Sequence, residues 1–171
     1  MPPARVGLAA ALVLVALALQ VTMLARLQLP GATPDLLLVT VVALALAHGP
    51  AFGLVTGFCA GLASDLVPPA DHAVGRWAFA LTVVGYLAGL AKPEIRRSAF
   101  VPLIVVSLAA AASVLLYAAL GALMGDPHVT WLALSEVLPT AVLYDVVLSP
   151  FVVPGVFVLA DRAEPDPVLR H

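Results

Sequence analysis

Long apolar runs separated by short polar, glycine- and proline-containing breaks make up most of the chain. The first run, residues 8–19, contains no charged residue. A helix that crosses about 30 Å of hydrocarbon needs about 20 residues, and a helix that is apolar on every side is typical of a bilayer. The pattern predicts six transmembrane helices, at residues 7–24, 34–47, 51–66, 77–91, 100–124 and 136–159.

Two of the breaks carry specific helix signals. Thr33-Pro34-Asp35 predicts a helix start with Thr33 as the N-cap, because threonine is a favoured cap and proline suits the first helical position. His48-Gly49-Pro50 predicts a stop followed by a tight hairpin. The second and third helices are short, so residues 34–66 form either two crossings or a re-entrant hairpin. In both cases the chain returns to the side from which it came.

Composition agrees with a membrane protein. Of the 171 residues, 63% are hydrophobic and 11% are charged, whereas a soluble domain has about 25% charged residues. We therefore predict an all-α, polytopic helix bundle forming a single transmembrane domain over residues 1–171, without a soluble domain. The net charge of -2 gives no basic patch for nucleic acid.

Neither a metal nor another cofactor is expected. The single cysteine, Cys59, lies in an apolar run and cannot form an intrachain disulfide. The four histidines are scattered, and no two of them share a helix face at metal-ligand spacing.

The distribution of positive charge predicts that both termini are cytoplasmic. Under that orientation two arginines, Arg26 and Arg76, lie outside. The residues on the inner side are Arg5, Lys92, Arg96, Arg97, Arg162 and Arg170. This excess agrees with the positive-inside rule for an even number of crossings.

Glycines recur at every fourth position of the third predicted helix. The row is Gly53, Gly57 and Gly61, and Asp65 occupies the next position. Residues four apart lie on nearly the same side of a helix, and small residues let helix backbones approach closely in lipid. Gly85 and Gly89 repeat the spacing in the fourth helix. The row predicts tight helix packing; a role in binding a partner is the alternative.

Two aspartates are the candidate functional side chains. Asp65, at the outer end of its helix, either anchors the connection to the fourth helix or contacts a ligand or partner. Asp145 lies among apolar residues, where an unpaired charge costs about 2.5–3.5 kcal/mol. It is therefore protonated, faces the bundle interior or has a donor, for which Tyr117, Ser113 and Thr82 are candidates.

Prolines follow Asp145 in the last helix. Pro150 and Pro154 each remove a backbone donor and free a carbonyl one turn earlier. They predict a kink, which is either a packing feature or a notch for a partner or ligand.

The order of these motifs resembles the rod shape-determining protein MreD family. The resemblance rests on Pro34-Asp35-Leu36-Leu37, the glycine row through Asp65, Leu81-Thr82 with Gly85-Tyr86 and Gly89, and Tyr144-Asp145 followed by Leu148-Ser149-Pro150 and Pro154. It covers about residues 34–160. The family usually has Tyr-Asn where this chain has Tyr144-Asp145; asparagine both donates and accepts, whereas ionised aspartate only accepts.

The resemblance implies a non-catalytic, multi-pass component of the bacterial cell-elongation machinery in the plasma (inner) membrane. Its implied partners are an MreC-like membrane protein and, directly or indirectly, the MreB cytoskeleton and a RodA-type glycosyltransferase with its transpeptidase. The implied role is to scaffold or regulate peptidoglycan synthesis and cell shape. Catalytic residues are not assigned to the family.

Two other functions remain as alternatives. The family looks related in fold to the substrate-binding subunits of energy-coupling vitamin transporters, which makes a vitamin-binding subunit the second interpretation. It would use polar groups near the outer face: Asp65, Asp71, His72, Asp126 and His128. The third is an intramembrane enzyme, which would need Asp65 and Asp145 in one water-accessible cavity.

Overall fold

Six α-helices make up the bundle, in agreement with the all-α prediction. The computed structural model describes residues 3–27, 29–67, 74–95, 98 and 100–163. The helices are α1 (Pro3–Thr22), α2 (Leu36–His48), α3 (Pro50–Leu66), α4 (Arg76–Leu90), α5 (Val101–Leu123) and α6 (Trp131–Arg162). Short 3₁₀ helices, Leu24–Leu27 and Lys92–Glu94, follow α1 and α4. The described residues contain no β-strand.

The helices fall into two length classes. Helices α1, α5 and α6, with 20, 23 and 32 residues, are long and apolar enough to cross a membrane. Helices α2, α3 and α4 are equally apolar in character but have only 13, 17 and 15 residues. The count of six crossings therefore stays a prediction.

The shortest helix forms the centre of the bundle. Every residue of α2 from Leu37 to Leu46 is buried, and α2 contacts all five other helices. An apolar helix without a polar face can be surrounded on all sides because none of its side chains needs water. Helix α2 is thus the core around which the others pack.

Two predicted helix starts are wrong. Helix α2 begins at Leu36 with Asp35, rather than Thr33, as the N-cap, because the Asp35 carboxylate accepts a hydrogen bond of 2.8 Å from the Leu38 N–H. Helix α6 begins at Trp131 rather than at residue 136, and its N-cap Thr130 accepts from the Ala133 N–H at 3.2 Å.

Prolines lie inside α6 without ending it. The helix is continuous over 32 residues and contains Pro139, Pro150 and Pro154. The predicted stop between α2 and α3 is present: Gly49 has a φ of 101°, and α3 begins at Pro50. A positive φ is easily reached only by glycine, so Gly49 permits the sharp reversal.

Helices α3 and α4 are in direct backbone contact along their glycines. A Cβ atom on Gly57 would overlap the carbonyl oxygen of Leu81 and lie 2.7 Å from its carbonyl carbon. Gly53 and Gly85 exclude a side chain at each other's position in the same way. Gly61 packs against Trp77. The contacts of Gly53, Gly57 and Gly61 on α3 are thus with Gly85, Leu81 and Trp77 on α4. Because the residue numbers rise on α3 as they fall on α4, the two helices are antiparallel.

Asp65 completes the glycine row at the start of α4. It is 0% exposed, and its two carboxylate oxygens accept hydrogen bonds from three backbone N–H groups. The donors are Gly75 at 2.8 Å, Trp77 at 3.2 Å and Ala78 at 3.0 Å. These are the groups at a helix start that have no partner within the helix. Asp65 thus caps α4 from the end of α3, and this geometry is that of a structural anchor.

The α3–α4 contact predicts that a glycine-to-alanine substitution has different effects on stability at Gly57 and at Gly7. Gly57→Ala should lower the melting temperature of the purified protein by at least about 5 °C, because its Cβ forces two backbones apart. Gly7→Ala should leave it unchanged or raise it slightly, since no atom lies within 4 Å of that Cβ position and alanine favours helix. Equal effects at both sites would contradict the backbone contact.

Removal of the Asp65 carboxylate should destabilise the protein in a graded way. Asp65→Ala leaves buried N–H groups without acceptors and should cost about 2 kcal/mol, whereas Asp65→Asn keeps one oxygen and should cost less. Chemical or thermal unfolding in detergent measures both values. Asp161→Ala, at an exposed position of α6, is the control; a loss there equal to that of Asp65→Ala would be inconsistent with the cap.

Candidate functional site

A cavity of about 700 Å³ opens at the end of the bundle where α2, α4 and α6 begin. The first half of α6 forms one wall, and the last turns of α5 form another. The first residues of α4, Gln20 of α1, the segment before α2 and the α5–α6 loop complete the lining. A volume in this range suits a small molecule.

Asp35 and Asp145 lie together at the start of α2. The Asp35 N–H donates a hydrogen bond of 2.7 Å to Asp145 Oδ1. The N–H of Leu37, in the first turn of α2, donates to Gln20 Oε1 at 2.9 Å. Asp145 is 2% exposed and lines the cavity. Side chains from α1 and α6 therefore accept hydrogen bonds from the N–H groups at the start of α2, inside the bundle.

The segment before α2 is held by the same side of α6. Tyr144 donates its hydroxyl to the Pro30 carbonyl at 3.2 Å, and the Ala32 N–H donates to Thr140 Oγ1 at 3.0 Å. Gly31 has a φ of +81°, and Thr140 occupies the space that a side chain there would need. The α6 side chains thus fix both the path of this segment and the cavity edge that it forms.

A buried arginine organises the opposite wall. Arg76, the first residue of α4, is 3% exposed. It donates to Asp126 Oδ2 at 2.7 Å and to the Tyr117 carbonyl at 3.1 Å. Its guanidinium carbon lies 3.9 Å from the Tyr117 ring centroid. A side chain on Gly121 would collide with the guanidinium. This ion pair joins α4 to the α5–α6 loop.

The predicted site residues separate into two regions. Gly53, Gly57, Gly61, Gly85 and Gly89 lie at the contacts of α3 and α4, and Asp65 caps α4 there. Asp145 lines the cavity, whereas Asp65 does not. Among the described residues the two carboxylates therefore do not share the cavity that the enzyme hypothesis requires.

Two of the three candidate donors to Asp145, and the two prolines of α6, have other surroundings than the sequence suggested. The Ser113 hydroxyl donates to Ala110 and that of Thr82 to Ala78, within their own helices, so neither is the donor to Asp145. Pro150 and Pro154 are exposed on α6 and do not line the cavity.

The polar groups of the transporter alternative are also divided. Asp126 and His128 line the cavity. Asp71 and His72 lie outside the described residues.

Sequence reasoning missed the Arg76–Asp126 pair and the roles of Gln20 and Asp35. The signal in the sequence was that these are polar side chains close to helix ends, which are rare in a chain with only 11% charged residues. Such residues are costly in an apolar bundle unless they are paired. Their partners, however, come from distant parts of the chain.

The ion pair predicts a pH dependence. The Arg76 guanidinium and the His128 hydrogen bonds lower the pKa of Asp126 from 3.8 to about 2. A lowered pKa in the folded state stabilises the protein above the unfolded value, and this stabilisation is lost as the pH falls through the folded value. The melting-temperature difference between wild type and Asp126→Asn should be constant above about pH 5 and shrink toward pH 2. The same difference should be smaller in an Arg76→Met background; a difference independent of pH would refute the assignment.

Comparison with known proteins places the chain in a family. The family model for the rod shape-determining protein MreD matches residues 5–162, which is most of the 171-residue chain. No curated protein and no solved structure matches the chain significantly. The match includes the α3–α4 glycine contact, the Asp35–Asp145 pair and the cavity. The chain therefore belongs to the rod shape-determining protein MreD family, as its motifs predicted, and is a membrane protein associated with the determination of rod shape.

Proposed function

We propose that this chain is a non-catalytic, multi-pass component of the cell-elongation machinery in the bacterial plasma (inner) membrane. It scaffolds or regulates peptidoglycan synthesis through helix–helix contacts. The partners are an MreC-like membrane protein and, directly or indirectly, a RodA-type glycosyltransferase with its transpeptidase and the MreB cytoskeleton. The family match over residues 5–162 is the observation that carries the proposal.

The exposed helix faces support a role in helix–helix contacts. Large apolar side chains lie on the surfaces of the long helices: Leu14 of α1 is 63% exposed, Leu108 of α5 is 66% exposed and Phe151 of α6 is 77% exposed. Such side chains can contact either lipid or a transmembrane helix of a partner. The internal glycine contact and the capped helix starts make the bundle that presents these faces rigid.

The proposed orientation places both termini in the cytoplasm. A Cβ atom on Gly49 would lie 3.7 Å from Lys92 Cδ, so the α2–α3 turn and the end of α4 share one end of the bundle. That is the end assigned to the inner side by the excess of positive residues. The cavity and the Arg76–Asp126 pair then face outward.

Photocrosslinking in living cells tests the proposal. A photoreactive amino acid at Leu14, Leu108 or Phe151 should yield crosslinks to an MreC-like protein from some of these positions and not from others, because one partner covers a limited surface. Mass spectrometry identifies the product, and co-purification without irradiation provides a second measurement. If no position crosslinks to a protein of the elongation machinery and the MreC-like protein does not co-purify, the proposal is wrong.

The cavity favours a second candidate, a substrate-binding transporter subunit. Such subunits usually dock through small residues four apart in the first helix, and Gly7 and Ala11 are exposed on α1. A vitamin retained through purification would favour this candidate over the first.

A further inference from the structure

Asp145 presents a carboxylate oxygen to the cavity that has no partner in the described part of the protein. Among the described residues the hydrogen bond to Asp145 is the one that its Oδ1 accepts from the Asp35 N–H at 2.7 Å, and Oδ2 is left to the cavity. The residue is 2% exposed and lines the cavity. An ionised carboxylate buried in this way is costly unless a donor or a positive charge reaches it.

The charges around Asp145 do not neutralise it. Asp35 brings a second carboxylate to the same place, where it caps Leu38. The start of α2 contributes the equivalent of about half a positive charge, less than either carboxylate. Arg76, which also lines the cavity, is bound to Asp126. Within the described residues no cationic side chain forms an ion pair with Asp35 or Asp145.

The remaining wall is largely apolar. Val114 of α5 and Leu134, Val137 and Ala141 of α6 line the cavity beside the two carboxylates. A molecule that fills this space must therefore combine an apolar body with a group that complements negative charge. A hydrogen-bonding cation is the group that fits, because Asp145 offers a carboxylate oxygen and Asp35 adds a second negative charge beside it.

We propose that the cavity binds a primary ammonium group on an amphipathic molecule, with the ammonium at Asp145 and Asp35 and the apolar body along α5 and α6. This site goes beyond the proposed scaffolding role and does not depend on it. The ammonium can come from the headgroup of an aminolipid such as phosphatidylethanolamine or from a free alkylamine. Both sources bind through the same contacts.

Binding of octylamine to the purified full chain in an uncharged maltoside detergent tests the free source. Isothermal titration calorimetry should show saturable binding, and the melting temperature should rise with the octylamine concentration. Octyltrimethylammonium has the same charge and alkyl chain but no N–H donor, and it should bind at least about tenfold more weakly.

Nanodiscs test the lipid source. The wild-type protein should melt at a higher temperature in phosphatidylethanolamine nanodiscs than in phosphatidylcholine nanodiscs if the headgroup occupies the cavity. Stabilisation by phosphatidylethanolamine without octylamine binding assigns the ammonium to a lipid. Octylamine binding without a lipid effect assigns it to a free amine.

Two isosteric variants separate binding from folding. Asp145→Asn retains an oxygen for the Asp35 N–H, and Asp35→Asn retains a favoured N-cap, so both should fold. Each should weaken octylamine binding, or reduce the phosphatidylethanolamine effect, by at least about tenfold in affinity. Asp161→Asn, which removes an exposed carboxylate far along α6, should bind like wild type.

Three results would overturn the site. The first is the absence of both octylamine binding and a lipid effect, which would mean that Asp145 is neutralised by a proton instead. The second is equal binding of octylamine and octyltrimethylammonium. The third is a folded Asp145→Asn or Asp35→Asn variant that retains wild-type affinity.

Discussion

Helices that begin inside an apolar bundle must have their first N–H groups satisfied by the protein, since no water is available there. This constraint accounts for the positions of three of the buried or half-buried acids. Asp35 caps α2, Asp145 accepts the N–H of Asp35 itself, and Asp65 accepts three N–H groups at the start of α4. These three aspartates therefore act as acceptors for helix starts, and Asp65 and Asp145 each lie on a different helix from the one whose start they bind.

The same arrangement creates the cavity. Asp145 lies near the middle of the 32-residue α6, so the start of α2 contacts α6 at mid-length and the first half of α6 extends beyond it. At about 1.5 Å per residue, α2 is only about 20 Å long. The space beyond its start is enclosed by α4, α5 and α6 but is not filled by α2. A short central helix thus yields both a dense core at one end and an opening at the other.

Rigidity and recognition are divided between different parts of the bundle. The contact of α3 with α4 brings backbone against backbone and leaves no space for a single added carbon at Gly57. In the long helices α1, α5 and α6, by contrast, only 22% of the most apolar 18-residue stretch is buried. A partner in the membrane would meet these exposed faces, whereas the glycine row is internal. The glycines therefore serve packing, as predicted, through direct backbone contact between α3 and α4. The surface that would bind a partner is expected on the outer helices instead.

The sequence alone determined the helices, the stop at Gly49, the glycine row and the family, because these depend on local composition and on spacing within one helix. It did not determine which helix is central. In a chain that is apolar on all sides, hydrophobic periodicity does not distinguish a face that meets lipid from one that meets protein. Helices α2 and α6 therefore look alike in the sequence, although α2 is buried from Leu37 to Leu46 and only six of the 32 residues of α6 are buried. Nor did it determine the partners of its acids: Asp35 and Asp145 are 110 residues apart, and Arg76 and Asp126 are 50 apart. Only the packing of the helices, which depends on the whole chain at once, brings these groups within hydrogen-bonding distance.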